Sequence, residues 1–110
     1  MDELISIDDF KKVEIRVGEI LSAEPVLGSE KLLKLRVNFG SEERQVVSGI
    51  AKHFPDTALL VSKKCAFATN VEPRSIMGLE SQAMILATGG SEGEQLHLFE
   101  STAPVGSRAR

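Results

Sequence analysis

The stretch LLKLRVNF, residues 32–39, alternates apolar and polar side chains from its second leucine onward. The apolar positions share one face of an extended chain: Leu33, Leu35, Val37 and Phe39. The polar positions share the other face: Lys34, Arg36 and Asn38. Because side chains of a strand point alternately to opposite sides, this pattern predicts a β-strand with one buried face. The chain must therefore supply further strands and a core to cover that face.

Short turns connect this strand to an apolar segment on each side. GSE at 28–30 precedes it, and GSEE at 40–43 leads into RQVVSGI. The segment VEIRVGEILSAEPV, residues 13–26, alternates at first, but after Gly18 its apolar residues are Ile20 and Leu21, so the phase slips. These patterns predict a three-stranded antiparallel meander whose long first strand bends at a glycine bulge.

The rest of the chain predicts short helices and more strands. Ser6 with two following aspartates predicts one helical turn, and residues 48–64 lose alternation, with Ser48 a candidate cap. CAFAT and SQAMILAT predict a fourth and a fifth strand joined by a loop; LHLFES and GSRAR predict two shorter strands. The expected fold is all-β with short helices: a five-stranded OB-fold barrel with a short C-terminal strand extension. We expect one domain, 1–110, with a core at about 5–88 and an extension at about 89–110.

The charge is unevenly distributed along the chain. The net charge is −3, but residues 31–78 carry +4 between acidic ends of −5 and −2. A basic middle of this kind is typical of a surface that binds phosphates, and it is equally compatible with ordinary solvated strand edges. Charge alone leaves both readings open.

Composition argues against several other classes of protein. A single cysteine excludes an internal disulfide and a multi-cysteine zinc site, and Cys65 lies in an apolar run as a buried hydrophobe would. The two histidines and the cysteine fall in unrelated segments, so we expect no enzyme activity, metal or cofactor. No apolar run is long enough to span a membrane, and the acidic start is unlike a signal peptide, which predicts a cytoplasmic protein.

Four segments between residues 5 and 88 resemble the tRNA-binding domain family. They are IDDFKKVEIRVGEI, GSEKLLKLRVNFG, ERQVVSGIAKHF and NVEPRSIMGLESQAMILA, in the family's order. That family includes the C-terminal domain of bacterial methionyl-tRNA synthetase and the stand-alone bacterial tRNA-binding protein. The resemblance implies an OB fold, sequence-tolerant tRNA binding that assists aminoacylation, a homodimer, and a methionyl-tRNA synthetase catalytic region as a candidate partner.

The resemblance also implies a set of tRNA-binding residues. They are Lys31, Asn70, Arg74, Ser81 and Met84. By its chemistry, Arg74 offers a donor fork for a phosphate. Ser81 offers a hydroxyl for phosphate or ribose, or caps local backbone, and Met84 is either an apolar contact or part of the core.

Other residues extend or modify this expectation. A candidate phosphate track comprises Lys34, Arg36, Lys52, Lys63 and Lys64. The chain departs from the family pattern at Ser75, where a second basic residue is common, and at Ala83, where glycine is common. The lost charge predicts weaker binding with a shallower salt dependence.

Low aromatic content favours one mode of RNA binding. The chain has five Phe and no Tyr or Trp, so it has few aromatic side chains that could stack on bases. Recognition of folded RNA through its backbone is therefore favoured. The alternative is a peptide-binding module, because a secretion-chaperone branch resembles the same fold family. The C-terminal extension is expected to contribute dimer contacts through strand addition.

Overall fold

A computed structural model describes residues 3–110 of the chain. Its one α-helix is α1 (Ile7–Phe10), and its two 3-10 helices are Ala51–His53 and Thr57–Leu59. Its strands are β1 (Ile15–Pro25), β2 (Leu33–Asn38), β3 (Glu43–Ser48), β4 (Lys64–Ala68), β5 (Arg74–Ile76), β6 (Leu79–Ser81), β7 (Met84–Ile85), β8 (Ala87–Gly89) and β9 (Leu96–Leu98).

Five strands form one antiparallel sheet that curls into a barrel. Its order is β3-β2-β1-β4-β7, and two small hairpins, β5–β6 and β8–β9, stand outside it. Hydrogen bonds between β3 and the segment that joins β6 to β7 close the barrel. Gln82 N–H donates to the carbonyl of Gln45 in β3 at 2.8 Å, and Gln45 N–H donates to Gln82 Oε1 at 2.9 Å. The prediction of an OB-type five-stranded barrel is confirmed.

The barrel interior is filled by the face of β2 that the alternation predicted. Leu33, Leu35, Val37 and Phe39 are all buried, whereas Arg36 between them is exposed. The rings of Phe39 and Phe67 meet edge to face, with centroids 5.4 Å apart and planes at 85°. This geometry suits the ring quadrupoles, so the aromatic pair stabilises the core beyond its buried area.

The bend in β1 is present, but its bulge is not at the glycine. Ile20 pairs with Val37 and Ser22 pairs with Arg36, so Leu21 is the extra residue and turns outward. The location predicted at Gly18 is wrong. Gly18 has a different purpose: a Cβ placed there would lie 2.6 Å from Val37 Cγ1 and 2.7 Å from Phe39 Cε1. The missing side chain lets the core residues of β2 lie directly on β1.

Residues 72–80, predicted as a loop, contain a β-hairpin. Arg74 pairs with Ser81 and Ile76 with Leu79, leaving Met77 and Gly78 as a two-residue turn. Both turn residues have positive φ, 50° and 79°, which is the pattern of a type I′ turn. The sequence did not predict this turn, because type I′ turns favour Asn-Gly and the chain has Met-Gly here. The predicted fifth strand is correspondingly divided into β7 and β8.

The predicted helical segments are partly right. Ser6 caps α1, since its Oγ accepts from Asp9 N–H at 3.0 Å. Ser48 is not a cap: it is the last residue of β3, and neither 3-10 helix uses it. The second of these short helices is capped by Asp56, whose Oδ1 accepts from Ala58 N–H at 3.1 Å.

The C-terminal extension packs along its own barrel. Val17 N–H donates to the Ser107 carbonyl at 2.9 Å, and Gly106 N–H donates to the Val17 carbonyl at 2.8 Å. Ala66 N–H donates to the Phe99 carbonyl at 2.8 Å in the same way. These bonds occupy strand edges that were expected to be open, so the strand-addition route to a dimer conflicts with the structure. Of the two predicted strands, LHLFES contains β9, whereas GSRAR makes only an isolated bridge between Arg108 and Arg16.

Replacing Gly18 by alanine tests the close approach of β1 and β2. The added Cβ overlaps two core side chains, so we expect Gly18→Ala to lower the free energy of unfolding by about 1–3 kcal/mol. Gly49→Ala is the matched control, because a Cβ there meets no atom within 4 Å. Urea denaturation of both variants measures the difference. Equal stability of the two would show that Gly18 is not needed for packing.

Candidate nucleic-acid interface

Two segments that are distant in sequence meet beside β2. The β5–β6 hairpin reaches the β1–β2 loop, residues 26–32, and the Met77 methyl group lies beside Gly28. Lys34 of β2 lines the same surface depression as Met77 and Leu79 of that hairpin. We call this surface, formed by residues 74–81, the β1–β2 loop and Lys34, the hairpin site. In the OB fold these are the strand face and loops that receive nucleic acid.

Arg74 lies at the base of the hairpin with its side chain exposed. Within residues 3–110, its guanidinium makes no ion pair or hydrogen bond. A row of paired positions runs from it across the barrel: Arg74 pairs with Ser81, Ser81 contacts Val47, and Val47 pairs with Lys34. Arg74 and Lys34 are therefore at two ends of one row.

Ser81 occupies a different position from the one expected. Its side chain is 2% exposed, and its Oγ accepts from Val47 N–H at 3.0 Å. The same hydroxyl lies 3.1 Å from the Ala83 carbonyl, to which it donates. The expected contact with phosphate or ribose conflicts with this burial. The local hydrogen-bonding alternative agrees with it, because Ser81 attaches the hairpin to β3.

Met84 and Asn70 lie on the β4–β7 side of the barrel. Met84 pairs with Ala68 and is 44% exposed, which favours a surface contact over a core position. Asn70 is exposed, yet its Oδ1 accepts from Glu14 N–H at 2.7 Å and its Nδ2 donates to the Lys12 carbonyl. Its amide thus holds the segment before β1 and retains one N–H for a ligand.

Most of the candidate phosphate track is already paired within the chain. Lys34 Nζ lies 3.6 Å from Glu24 Oε2, and Arg36 Nε lies 3.1 Å from Glu43 Oε1. Lys63 Nζ lies 3.2 Å from Glu100 Oε1, and Lys64 Nζ donates to the Ala103 carbonyl at 2.9 Å. Lys31 and Lys52 are exposed and have no ion pair among the described residues. Their segments adjoin, since Ala51 N–H donates to the Lys31 carbonyl at 2.9 Å.

Arg44 and Arg16 form an arginine clamp on the segments that flank the hairpin. The sequence did not predict it. Arg44 Nη1 donates to the carbonyls of Thr69 at 2.5 Å and Gln82 at 3.1 Å, which flank the hairpin on both sides. The Arg16 and Arg44 guanidinium groups lie 5.2 and 5.8 Å from the centroid of the Phe39 ring. Glu42 pairs with both arginines. No sequence signal pointed to this layer: the alternation of Ile15 and Val17 implied an outer position for Arg16, whereas its contact with the buried Phe39 ring puts it on the inner face of β1, with Gly18 and Ile20.

Two titratable groups have shifted pKa values with clear causes. The pKa of Glu14 is lowered, first by the Thr69 hydroxyl, which donates to Glu14 Oε1 at 2.7 Å, and then by Arg16. Burial raises the pKa of the Cys65 thiol to about 11. Cys65 is therefore protonated near neutral pH and lacks the thiolate that a nucleophile requires, as its predicted role in the core implies.

Comparison with known proteins identifies the class to which this barrel belongs. The family described as "Putative tRNA binding domain" matches residues 15–108. The chain belongs to this tRNA-binding domain family, as its sequence resemblance implied.

The similar full-length proteins are synthetases. The chain is 49% identical over 105 residues to a methionine-tRNA ligase of Halalkalibacterium halodurans, covering 94% of this chain and 16% of that protein. It is also 49% identical over 105 residues to a methionine-tRNA ligase of Methanococcus aeolicus, covering 96% of this chain and 15% of the ligase. The chain thus spans about one sixth of the length of these relatives and is homologous to one part of them.

Solved structures share the whole fold. A MetRS-related protein from Pyrococcus horikoshii superposes with a TM-score of 0.91 at 36% identity, covering 99% of this chain and 100% of the other. The chaperone CsaA of Bacillus anthracis superposes with a TM-score of 0.86 at 20% identity, covering 98% and 100%. The second likeness shows the fold alone.

Two features of other protein classes are missing from the described part of the chain. None of the helices in residues 3–110 is long and apolar enough to cross a membrane. The same residues contain no cluster of three or more His, Cys, Asp or Glu side chains that could hold a metal ion.

The lowered pKa of Glu14 predicts a specific loss of stability in acid. Its contribution to the free energy of unfolding is complete above its ordinary value of 4.5 and is lost as the pH falls through the lowered folded value. The stability difference between wild type and Glu14→Gln should therefore shrink as the pH falls from about 7 to about 3. Urea denaturation at several pH values measures it. A difference that is independent of pH would contradict the assigned interaction with Thr69 and Arg16.

Proposed function

We propose that this chain is a tRNA-binding module that recognises the folded shape of the RNA and tolerates different sequences. The observation that carries the proposal is the hairpin site. There the guanidinium of Arg74, which has no ion pair or hydrogen bond among residues 3–110, lies on the strand and loop surface that OB folds use for nucleic acid. Membership of the tRNA-binding domain family supports tRNA as the ligand. Lys31, in the β1–β2 loop, and Lys52, in the segment bonded to that loop, supply further charge that has no ion pair within the described residues.

The side chains around this surface favour contacts to the RNA backbone. Phe39 and Phe67 are buried in the core, so neither ring is available to stack on a base. The exposed groups are guanidinium, ammonium, amide and aliphatic side chains, which bind phosphates and sugars in a manner that does not depend on sequence. A shape-reading site of this kind suits a molecule that must accept a folded tRNA.

The biological role we propose is to assist aminoacylation. A module that holds tRNA raises its concentration near a synthetase active site, and the homology to part of methionine-tRNA ligases makes a methionyl-tRNA synthetase catalytic region the candidate partner. The chain itself needs no catalytic group for this role. We place it in the cytoplasm, where a lone cysteine stays reduced and tRNA is charged.

Replacing Arg74 tests the proposed site directly. We expect Arg74→Ala to weaken binding of a tRNA transcript by about 1–3 kcal/mol, because a charge-assisted contact is lost. The slope of log affinity against log salt should also become shallower by about 0.7–0.9. Arg36→Ala is the matched control, since the Arg36 guanidinium is held by Glu43 at 3.1 Å. Titration of both variants over a salt series makes the measurement.

Two outcomes of that titration count against the proposal. If the wild-type protein does not prefer tRNA over a single-stranded RNA of equal length, the proposed recognition of the folded shape of tRNA is wrong. Equal losses for Arg74→Ala and Arg36→Ala would mean that net charge, and not the hairpin site, governs binding.

We also propose that the chain works as a homodimer through its N-terminal face. Ile7, Phe10 and Val13 are exposed apolar side chains that, with Arg108 and Ala109, line one surface depression. A contiguous exposed apolar surface is a feature of protein interfaces. Because the C-terminal extension pairs with its own barrel, its contribution would come from side chains at this face. Two copies would present two hairpin sites to one RNA.

Polar substitution of the N-terminal face tests this arrangement. Phe10→Ser should halve the mass measured by light scattering, because a buried aromatic anchor of the interface is lost. Leu27→Ser is the control, since Leu27 is at least as exposed but lies in the β1–β2 loop. A monomeric wild-type protein, or an unchanged mass for Phe10→Ser, would overturn the proposed dimer face.

A further inference from the structure

The tip of the β5–β6 hairpin carries an unusual residue. Met77 adopts a left-handed backbone conformation with φ of 50° and is 59% exposed. For a residue other than glycine, asparagine or aspartate this conformation is strained, and a type I′ turn would accept Asn-Gly more readily. A long apolar side chain is thus held at the surface in a conformation that it does not favour.

Met77 shares a surface depression with a second exposed apolar side chain. Leu27 in the β1–β2 loop is 98% exposed, and the depression between them is lined also by Pro25, Val26 and Leu79. Its volume is about 350 Å³. Neither Met77 nor Leu27 belongs to the barrel core, so their apolar surfaces are available to a ligand. We call this depression the tip pocket.

One cation stands at the edge of the tip pocket. Lys34 lines it, and its ammonium group is 3.6 Å from the carboxylate of Glu24. Such a loose, solvent-exposed ion pair contributes little stability, so Lys34 remains able to turn towards an anion. The pocket therefore offers an apolar slot and a positive edge side by side.

We propose that the tip pocket receives one unpaired nucleobase of the bound RNA, with the adjoining phosphate next to Lys34. A nucleotide has the same two parts: a flat, weakly polar ring and an anionic group beside it. The Met77 thioether and the Leu27 side chain would cover the two faces of the ring, since sulfur packs favourably against aromatic systems. This inference rests on the proposed tRNA binding and extends it from the backbone to a single base.

The charge at the edge favours a nucleotide over an apolar peptide. A peptide side chain would use the Leu27 and Met77 surfaces and would have no need of Lys34. The contact also compensates for the scarcity of exposed aromatic rings near the hairpin site, because aliphatic and thioether groups hold a base without reading its hydrogen-bonding edge. Sequence tolerance is thereby preserved.

Met77→Asn tests the pocket without disturbing the turn. Asparagine is favoured at this position of a type I′ turn, so the melting temperature should stay equal or rise while the apolar contact is lost. We expect Met77→Asn and Leu27→Ser each to weaken binding of a tRNA transcript about five-fold or more, with the salt slope unchanged. Lys34→Gln should instead make the slope shallower by about 0.7–0.9.

A fully paired RNA duplex of equal length is the matched ligand control. Met77→Asn should leave duplex binding unchanged, because the duplex offers no unpaired base. If Met77→Asn and Leu27→Ser bind tRNA as the wild type does while Arg74→Ala binds weakly, the tip pocket is overturned and the proposed function stands. If the wild type itself does not bind tRNA, the proposed function fails. Competition by an unfolded polypeptide that Met77→Asn abolishes, with tRNA affinity unchanged, would assign the pocket to peptides.

Discussion

The closure of the barrel between β3 and the β6–β7 segment is the constraint on which the rest of the structure depends. Four residues make it: Gln82 exchanges hydrogen bonds with Gln45, and the buried hydroxyl of Ser81 accepts from Val47. Buried polar groups of this kind must be paired, so the hairpin that precedes them has only one place to lie. Arg44 then secures the two flanks of the hairpin through the carbonyls of Thr69 and Gln82. The exposed face of the hairpin is therefore a consequence of how the barrel closes.

Ion pairing within the chain decides which cations remain for a ligand. Acidic partners hold Arg36 and Lys63, and backbone carbonyls hold Lys64, so the positive charge of residues 31–78 is greater in the sequence than on the surface. Arg74 stands apart from these pairs. At the two departures from the family pattern, Ser75 is exposed and leaves one charge fewer beside Arg74, whereas Ala83 is buried and its methyl group belongs to the core. The departure at Ser75 therefore concerns affinity for RNA, and the departure at Ala83 concerns packing of the core.

The sequence predicted elements well where local periodicity carried the information. The alternation of β2, the Ser6 cap and the five-stranded barrel are all present. It misplaced features that depend on contacts between strands: the bulge lies at Leu21 because that residue lacks a partner on β2, while Gly18 is required by the nearness of Val37 and Phe39. The hairpin at 74–81 escaped detection because Met77 is an atypical residue for its turn. Arg74 was predicted from a motif and is accessible, whereas Ser81, from the same motif, is buried.

By itself the sequence determined the order of the five barrel strands along the chain, the buried face of β2 and the family, because each of these follows from the spacing of residues close together in the sequence. Only the tertiary structure decided which polar side chains are available to a ligand. A hydroxyl or an ammonium group is available only where the fold does not pair it with another group of the chain. Ser81 and Lys64 are used within the chain, whereas Arg74 has no such partner in the part of the chain that the structure describes. The tip pocket arises in the same way: Leu27 and Met77 are fifty positions apart, and only barrel closure brings their loops together.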